Sequence, residues 1–349
     1  MRVLVIGAGR MGALRAEDLR ADPRISQVFC ANRSPQRARD LAAQLGLDVV
    51  DWHRIGSLEV DAVVVTSATS SHAEVLHRVL PTGRPVLCEK PIALTLAQTE
   101  RLIDLADEHG SIVQVGFQRR FDPGLRELHR RCAAAELGTL YAMRLMSHDH
   151  EPSDAAFIGS SGGIFRDLHV HDLDLVAWLT GSPVSSVHAT VAVREHGQYD
   201  VHHATAAGSV PDGDVALIHA VTASGVQVSI HGARHDPRGH DVRVEAYGSA
   251  DSVCAGLTER TPLLALDGAR APAGSAAPTG TVPPYAGFVD RFREAFRAET
   301  SAFVDLACGG PNPCPPQAAL DALRAAVACE VSVLSGRPVR VDEIVTTEQ

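Results

Sequence analysis

The chain begins Met1-Arg-Val-Leu-Val-Ile-Gly-Ala-Gly-Arg-Met-Gly12, and the order of these residues decides the fold. Val3 to Ile6 is a short aliphatic, β-branched run of the kind that suits a strand covered on both faces. It leads straight into Gly7, Gly9 and Gly12, and Met11–Arg20 then reads as a helix. The three glycines have separate jobs. Gly7 permits the tight strand-to-helix turn, Gly9 lets a pyrophosphate approach the backbone, and Gly12 lets helix and strand pack closely. Amide groups at the helix start, with the helix dipole behind them, suit an anionic diphosphate. The spacing carries weight because a strand precedes it and a helix follows.

Outward from this stretch the alternation continues. Strand-like runs are Val3–Ile6, Val28–Ala31, Ala62–Thr66, Val86–Cys88 and Ile112–Gly116; helix-like runs are Met11–Arg20, Pro35–Leu45, His72–Leu80 and Leu96–His109. This predicts a parallel sheet with helices on both faces, which binds ligand at the carboxyl ends of its strands. The pattern changes after Arg120. Asp122–Cys132 reads as helix, Leu140–Ser147 as strand and Asp167–Leu179 as a buried helix. Val184–Tyr247 reads as Val-rich strands with Gly and Asp turns. Strands without intervening helices predict a mostly antiparallel sheet. Asp267–Pro284, rich in Ala, Gly, Pro and Thr, reads as a mobile loop, and helices are expected near Phe288–Ala298 and Gln317–Leu334. The fold class is therefore α/β, with a dinucleotide-binding domain over 1–120 and a second α/β domain over 121–349, whose last helix has room to pack back on the first.

Composition narrows the function. The 349 residues carry a net charge of −10 with Lys and Arg scattered, which argues against nucleic acid as a partner. No apolar run reaches the roughly 18 residues a membrane helix needs, and no signal peptide is visible, so a cytoplasmic protein without a membrane partner is expected. The 7 cysteines, Cys30, Cys88, Cys132, Cys254, Cys308, Cys314 and Cys329, form no CxxC pair. Neither a disulfide framework nor a structural zinc site is expected, and Cys30, Cys88 and Cys329 read as core residues. None of the 17 histidines falls in an HExxH pattern, and no metal is expected; His169 and His171 of the HVH run would point to different sides of a helix.

Three constellations carry chemistry. Asn32 lies 20 residues past Gly12, where an acidic residue would bind both ribose hydroxyls of NAD. Its neutral amide removes the repulsion toward a 2′-phosphate, Arg33 can add a charge-assisted bond and Ser34 a donor. Equally, Ser34 can cap the next helix with Pro35 at its first position. NAD(P) is expected, with a slight lean to NADP. Glu89-Lys90-Pro91 ends a buried run at the sheet edge where a nicotinamide would lie, and Lys90–Pro91 is a candidate cis bond. Lys90 there can stabilise a developing alkoxide, or be an ordinary exposed lysine at a strand end. After Gly162–Gly163, Asp167 and His171 are four apart and would share one helix face, with Asp174 near it. An imidazole beside a carboxylate makes a base and its orienter, or a structural bond that anchors the helix.

GAGRMG, Thr66–His72, Cys88-Glu-Lys-Pro91, Gln114–Pro123, Gly162–Asp174 and the closing Gly336–Val341, taken together, resemble the Gfo/Idh/MocA oxidoreductases, most closely their inositol 2-dehydrogenase branch. The resemblance implies a Rossmann domain and a C-terminal domain whose open sheet joins subunits, here as a homodimer or homotetramer. It implies hydride transfer between nicotinamide and a secondary alcohol of a cyclitol or sugar. Lys90, Asp167 and His171 then take the catalytic positions. Arg120, His148 (or His150) and Asp174 fall on substrate contacts, and Gly7, Gly9, Arg10, Met11, Gly12, Asn32, Arg33, Thr66, His72, Glu89 and Lys90 on the cofactor side. Asn32 departs from the family's acid, and Arg238-Gly-His240-Asp241 stands where inositol-type relatives carry Tyr-Gly-Tyr-Asp, which makes Arg238 and His240 candidates for ring specificity. Two alternatives remain open: a sugar-modifying enzyme of this fold with retained cofactor, and a cofactor-binding sensor without catalysis. Intact Lys90, Asp167 and His171 weigh against the sensor.

Overall fold

The computed structural model describes residues 1–152, 155–194, 202–205, 208–263 and 282–346. Most of the expected mobile loop Asp267–Pro284 lies outside the described residues. The chain divides into two compact units. The first comprises Met1–Phe121, Glu294–Asp321 and Thr346–Gln349, and the second Asp122–Arg293 and Ala322–Val345.

In the first unit, β1 (Arg2–Ile6), α1 (Arg10–Ala21), β2 (Gln27–Ala31), α2 (Pro35–Leu45), β3 (Asp48–Val49), β4 (Ala62–Val65), α3 (Thr69–Val79), β5 (Val86–Glu89), α4 (Leu96–His109) and β6 (Val113–Gly116) alternate along the chain. The six strands pair in the order β3-β2-β1-β4-β5-β6, all parallel. This is the doubly wound order of dinucleotide-binding sheets, whose winding reverses between β1 and β4. Val3 to Ile6 are fully buried, as a strand covered on both faces requires. The two-residue β3 was not legible as a strand, because both its residues are exposed at the sheet edge.

The second unit holds α5 (Pro123–Ala133), β7 (Leu140–His148), α6 (Ala155–Ser161), α7 (Val170–Thr180), β8 (Val184–Ala192), the pair β9 (His202–Thr205) and β10 (Gly208–Pro211), β11 (Val215–Thr222), β12 (Gln227–Ala233), β13 (Asp241–Gly248) and β14 (Ser252–Ala255). Further along the chain come α8 (Phe288–Arg291), α9 (Arg293–Ala307), which from Glu294 on belongs to the first unit, α10 (Pro316–Ser335), which passes from the first unit to the second, and β15 (Val339–Arg340) of the second unit. The large sheet runs β14-β13-β7-β12-β11-β8-β15. Only its β12–β7 pair is parallel, so "mostly antiparallel" holds. Met143, Leu145, Ala216, Ile218, Val228 and Ile230 alternate into the buried face. Gly232 marks a close approach to the sheet: a Cβ there would stand 2.2 Å from the His169 ring.

Two helices depart from expectation. The helix read as Asp167–Leu179 begins as a π-turn over Phe165–His169, and α7 proper starts at Val170. Gly162 and Gly163, at φ of +87° and +91°, turn the chain into it, and such wide turns concentrate at functional sites. The helix expected over Phe288–Ala298 is broken at Phe292, and its second part continues to Ala307. Glu299 and Thr300, beyond the expected end of that helix, are buried.

Candidate active site

The first unit carries a cradle at the reversal point of its sheet. Gly7 sits at φ +120°, and a Cβ on it would lie 2.6 Å from Ser67 N. A Cβ on Gly12 would lie 1.9 Å from the Gly7 carbonyl oxygen, whereas one on Gly9 would meet nothing within 4 Å. The backbone is therefore locked at Gly7 and Gly12 and open over Gly9. No side chain caps α1, whose N-cap is Gly9, so its amide end is left for an anion. Thr66 braces the loop, its hydroxyl 3.2 Å from the carbonyls of both Ile6 and Gly7. Ser67 Oγ is buried and has no hydrogen-bond partner among the described residues. An open cradle, an uncapped helix start and an orphaned hydroxyl beside them fit a dinucleotide.

Asn32 ties β2 to this loop: its Oδ1 accepts from Ala8 N at 3.1 Å and its Nδ2 donates to the Ser34 carbonyl at 3.1 Å. Ser34 occupies the N-cap of α2 with Pro35 next, but its hydroxyl makes no capping bond, which corrects that half of the capping reading. Arg33 is largely exposed, paired with Glu74 and lying 5.6 Å from the Trp52 ring centroid. Arg10 is exposed and Met11 half-buried on the first turn of α1. His72 is placed as a strut. It is buried, with Nδ1 2.8 Å from the Pro91 carbonyl and Nε2 2.9 Å from the Ser67 carbonyl. Burial holds its ring below the ordinary histidine range against those two carbonyls, and a neutral ring donates to one of them only.

Lys90 follows β5, half-buried, across a cis bond from Pro91. Its neighbour Glu89 is fixed by Arg15 of α1, whose Nε and Nη2 donate to Oε1 at 3.0 and 2.8 Å. Arg15 is fully buried and also binds Glu299 of α9. Neither Arg15 nor Glu299 was singled out from the sequence, since nothing local marks a charged residue on α1 as internal. Burial pushes the Glu299 carboxyl up to about 7, with Arg15 opposing and Glu89 adding to the rise. A group raised above its unfolded value of 4.5 adds stability at low pH that is lost as pH climbs through the folded value. The difference in melting temperature between wild type and Glu299→Gln should therefore fall, to the wild type's disadvantage, from about pH 5 to about pH 8. Thermal denaturation checks this, and a difference flat in pH refutes it. Arg120 lies in the 3₁₀ turn Gln118–Phe121, with Nη1 donating to the Pro313 carbonyl at 3.3 Å.

The second unit carries the other half of the predicted set. Asp167 lies in the π-turn, with its side chain 22 % exposed, and His171 and Asp174 are buried on α7. His169 and Asp172 are tied down: Asp172 accepts from Ser147 Oγ at 2.6 Å and pairs with His169 Nδ1 at 2.9 Å, fastening α7 to β7. His148 is held between His231, 2.8 Å from its Nε2, and Asp236, 3.3 Å from its Nδ1. His150 Nδ1 lies 3.1 Å from the Asp236 carbonyl. Arg238 is exposed, its backbone amide donating to Asp236 at 3.0 Å. His240 is buried, with Nδ1 3.3 Å from Asp149 and its ring edge-on to Phe292. Among the described residues no group of three or more His, Cys, Asp or Glu could hold a metal ion, and no helix is long and apolar enough to cross a membrane.

Residues 1–117 match the family described as "Oxidoreductase family, NAD-binding Rossmann fold", and residues 125–254 match "GFO/IDH/MocA C-terminal domain". The chain belongs to the Gfo/Idh/MocA oxidoreductases. Within this family it is 36% identical to myo-inositol dehydrogenase Hyg17 of Streptomyces leeuwenhoekii, over 96% of this chain and 98% of the relative. It is 29% identical to a scyllo-inositol 2-dehydrogenase (NAD(+)) of Bacillus subtilis, over 98% and 96%. The fold superposes on a crystal structure of a myo-inositol dehydrogenase from Corynebacterium glutamicum with a TM-score of 0.82 at 27% identity, covering 97% and 98% of the two chains. The Gfo/Idh/MocA pattern thus spans both units.

Proposed function

We propose that this chain is an NAD(P)-dependent dehydrogenase that oxidises a secondary alcohol on the ring of a cyclitol, with inositols first and related sugars second. The observation that carries this reading is His171, a buried imidazole at the head of α7 with Asp167 one turn before it, in a chain whose other unit is a dinucleotide cradle. The relatives named as inositol dehydrogenases support the substrate class.

The cradle glycines, the α1 amide end, Ser67 and Asn32 would hold the coenzyme. When bound, its nicotinamide supplies the hydride acceptor. The chain's own residues handle the proton and the oxygen. His171 takes the hydroxyl proton, Asp167 orients the ring and stabilises its charged form, and Lys90 donates a hydrogen bond to the oxygen as charge develops. Arg120 and Asp174 bind neighbouring hydroxyls; His148, Arg238 and His240 contribute to ring recognition.

The coenzyme preference leans to NADP. The Asn32 amide does not repel a 2′-phosphate, and the Arg33–Glu74 pair is exposed on both sides. Such pairs are worth about 0–1 kcal/mol, so Arg33 is cheaply recruited to a phosphate. We also read the outer face of the large sheet as a self-association surface. Leu217 is 51% exposed there, beside Arg144, His188, His219 and His231. A screen of inositols and aldoses with NAD and with NADP, followed by absorbance of the reduced coenzyme, tests the reading. Steady reduction with an inositol is expected, with higher kcat/KM for NADP. No reduction with any polyol refutes the function, and a strong NAD preference reverses the coenzyme lean. A monomer in sedimentation velocity refutes the self-association.

A further inference from the structure

Among the described residues, the most deeply buried arginine of the second unit is Arg234, to which no role has yet been given. Arg234 follows β12 and is 1 % exposed. Its Nη2 donates to both oxygens of Asp212, at 3.0 and 3.2 Å, and its Nε donates to the Gly213 carbonyl at 3.3 Å. Its remaining nitrogen, Nη1, stands 3.6 Å from Asp167 Oδ2. Asp212 in turn accepts from the backbone amide of Ile164 at 2.9 Å, and His203 Nε2 lies 3.3 Å from its other oxygen. Burial opposes ionisation of Asp212, but His203 and Arg234 outweigh it and hold the carboxyl below its ordinary range. The pair thus holds the π-turn at its N-cap, through the backbone of Ile164, and within it, beside the side chain of Asp167.

We propose that Arg234 is a positioning residue for the proton transfer, holding the Asp167 carboxylate so that it orients His171. This rests on the reading above that Asp167 and His171 form the base. A guanidinium taken out of water costs several kcal/mol unless every arm is engaged. The Asp212 pair alone would anchor the turn, so the arm aimed at Asp167 is what a structural role leaves unexplained. At 3.6 Å the contact is longer than a hydrogen bond, so it acts on the Asp167 carboxylate by charge. Arg234 was not legible in the sequence, because it is 63 residues after His171 and meets Asp167 only through the sheet.

The test is a double-mutant cycle in the full-length protein, with the inositol that the wild type oxidises. Arg234→Met should lower kcat by about tenfold or more with KM changed less than about threefold, and coenzyme affinity should be unaltered. Arg234→Lys should recover most of the loss. In an Asp167→Asn background Arg234→Met should cost less than about threefold, because residues acting through one another are not additive. An equal loss in both backgrounds, or no loss in wild type, overturns the proposal. If Arg234→Met does not fold by thermal denaturation, Asp212→Asn, which releases the guanidinium from its anchor, takes its place in the same cycle. An additive cycle in an active enzyme that His171→Ala inactivates refutes Arg234 alone; absence of polyol oxidation by the wild type refutes the functional reading itself.

Discussion

His171→Ala should lower kcat for polyol oxidation by about a thousandfold, with coenzyme affinity unchanged. General bases contribute about 10²–10⁴ to such steps, and the middle of that range is expected because the adjacent imidazole is not placed to replace the ring. His169, the adjacent imidazole, is committed to Asp172 at 2.9 Å, and Asp172 is itself committed to Ser147. The substitution leaves every residue of the glycine cradle in place, so a fluorescence titration with coenzyme should match wild type. It removes a side chain that is 7 % exposed, so some loss of stability accompanies it. His171→Asn, closer in volume, separates that loss from the chemical one and should be equally slow. A variant with wild-type kcat removes His171 from the mechanism and the functional reading with it.

The parts of the molecule that could be read in advance are those where chemistry and chain order coincide. Gly7, Gly9 and Gly12 announce a local geometry, because strand, turn and helix are contiguous and each glycine answers to a steric demand within that segment. Lys90 drew attention as a polar residue after an apolar run, and Asp167 and His171 by their four-residue spacing. The residues that escaped notice act over distance. Arg15 reaches Glu299 across 284 positions, and Arg234, just past the end of β12, reaches Asp167 from another part of the chain. Ser67 went unnoticed for a different reason: a serine in a run of small polar residues looks solvated, and only packing shows its hydroxyl to be buried without a partner among the described residues. His72 looked like a coenzyme contact by position, yet both its nitrogens face backbone carbonyls. The π-turn before α7 could not be seen at all, since a 3.6-residue period gives no sign of one added residue.

The glycine loop gives a second large effect, because two of its glycines should fail in opposite ways. Gly12→Ala places a methyl group 1.9 Å from the Gly7 carbonyl oxygen. That neighbour is backbone and is itself held, with Gly7 N donating to the Ala31 carbonyl at 2.9 Å, so strand and helix must separate. Overpacking of this kind costs about 1–3 kcal/mol or more, and the first unit should melt early with or without coenzyme. Gly9→Ala meets no atom within 4 Å, and its φ of −91° and ψ of −169° suit any residue. Melting of the free protein should therefore stay near wild type, as exposed substitutions do, within about 0.5 kcal/mol. Its methyl group occupies the opening over which a diphosphate must lie against the backbone. Coenzyme binding should weaken at least tenfold, about 1.4 kcal/mol, and the thermal stabilisation that coenzyme gives the wild type should shrink accordingly. Calorimetric titration with NAD and NADP, together with melting curves, reads both variants. If Gly9→Ala binds coenzyme as tightly as wild type, the opening above Gly9 is not where the diphosphate sits.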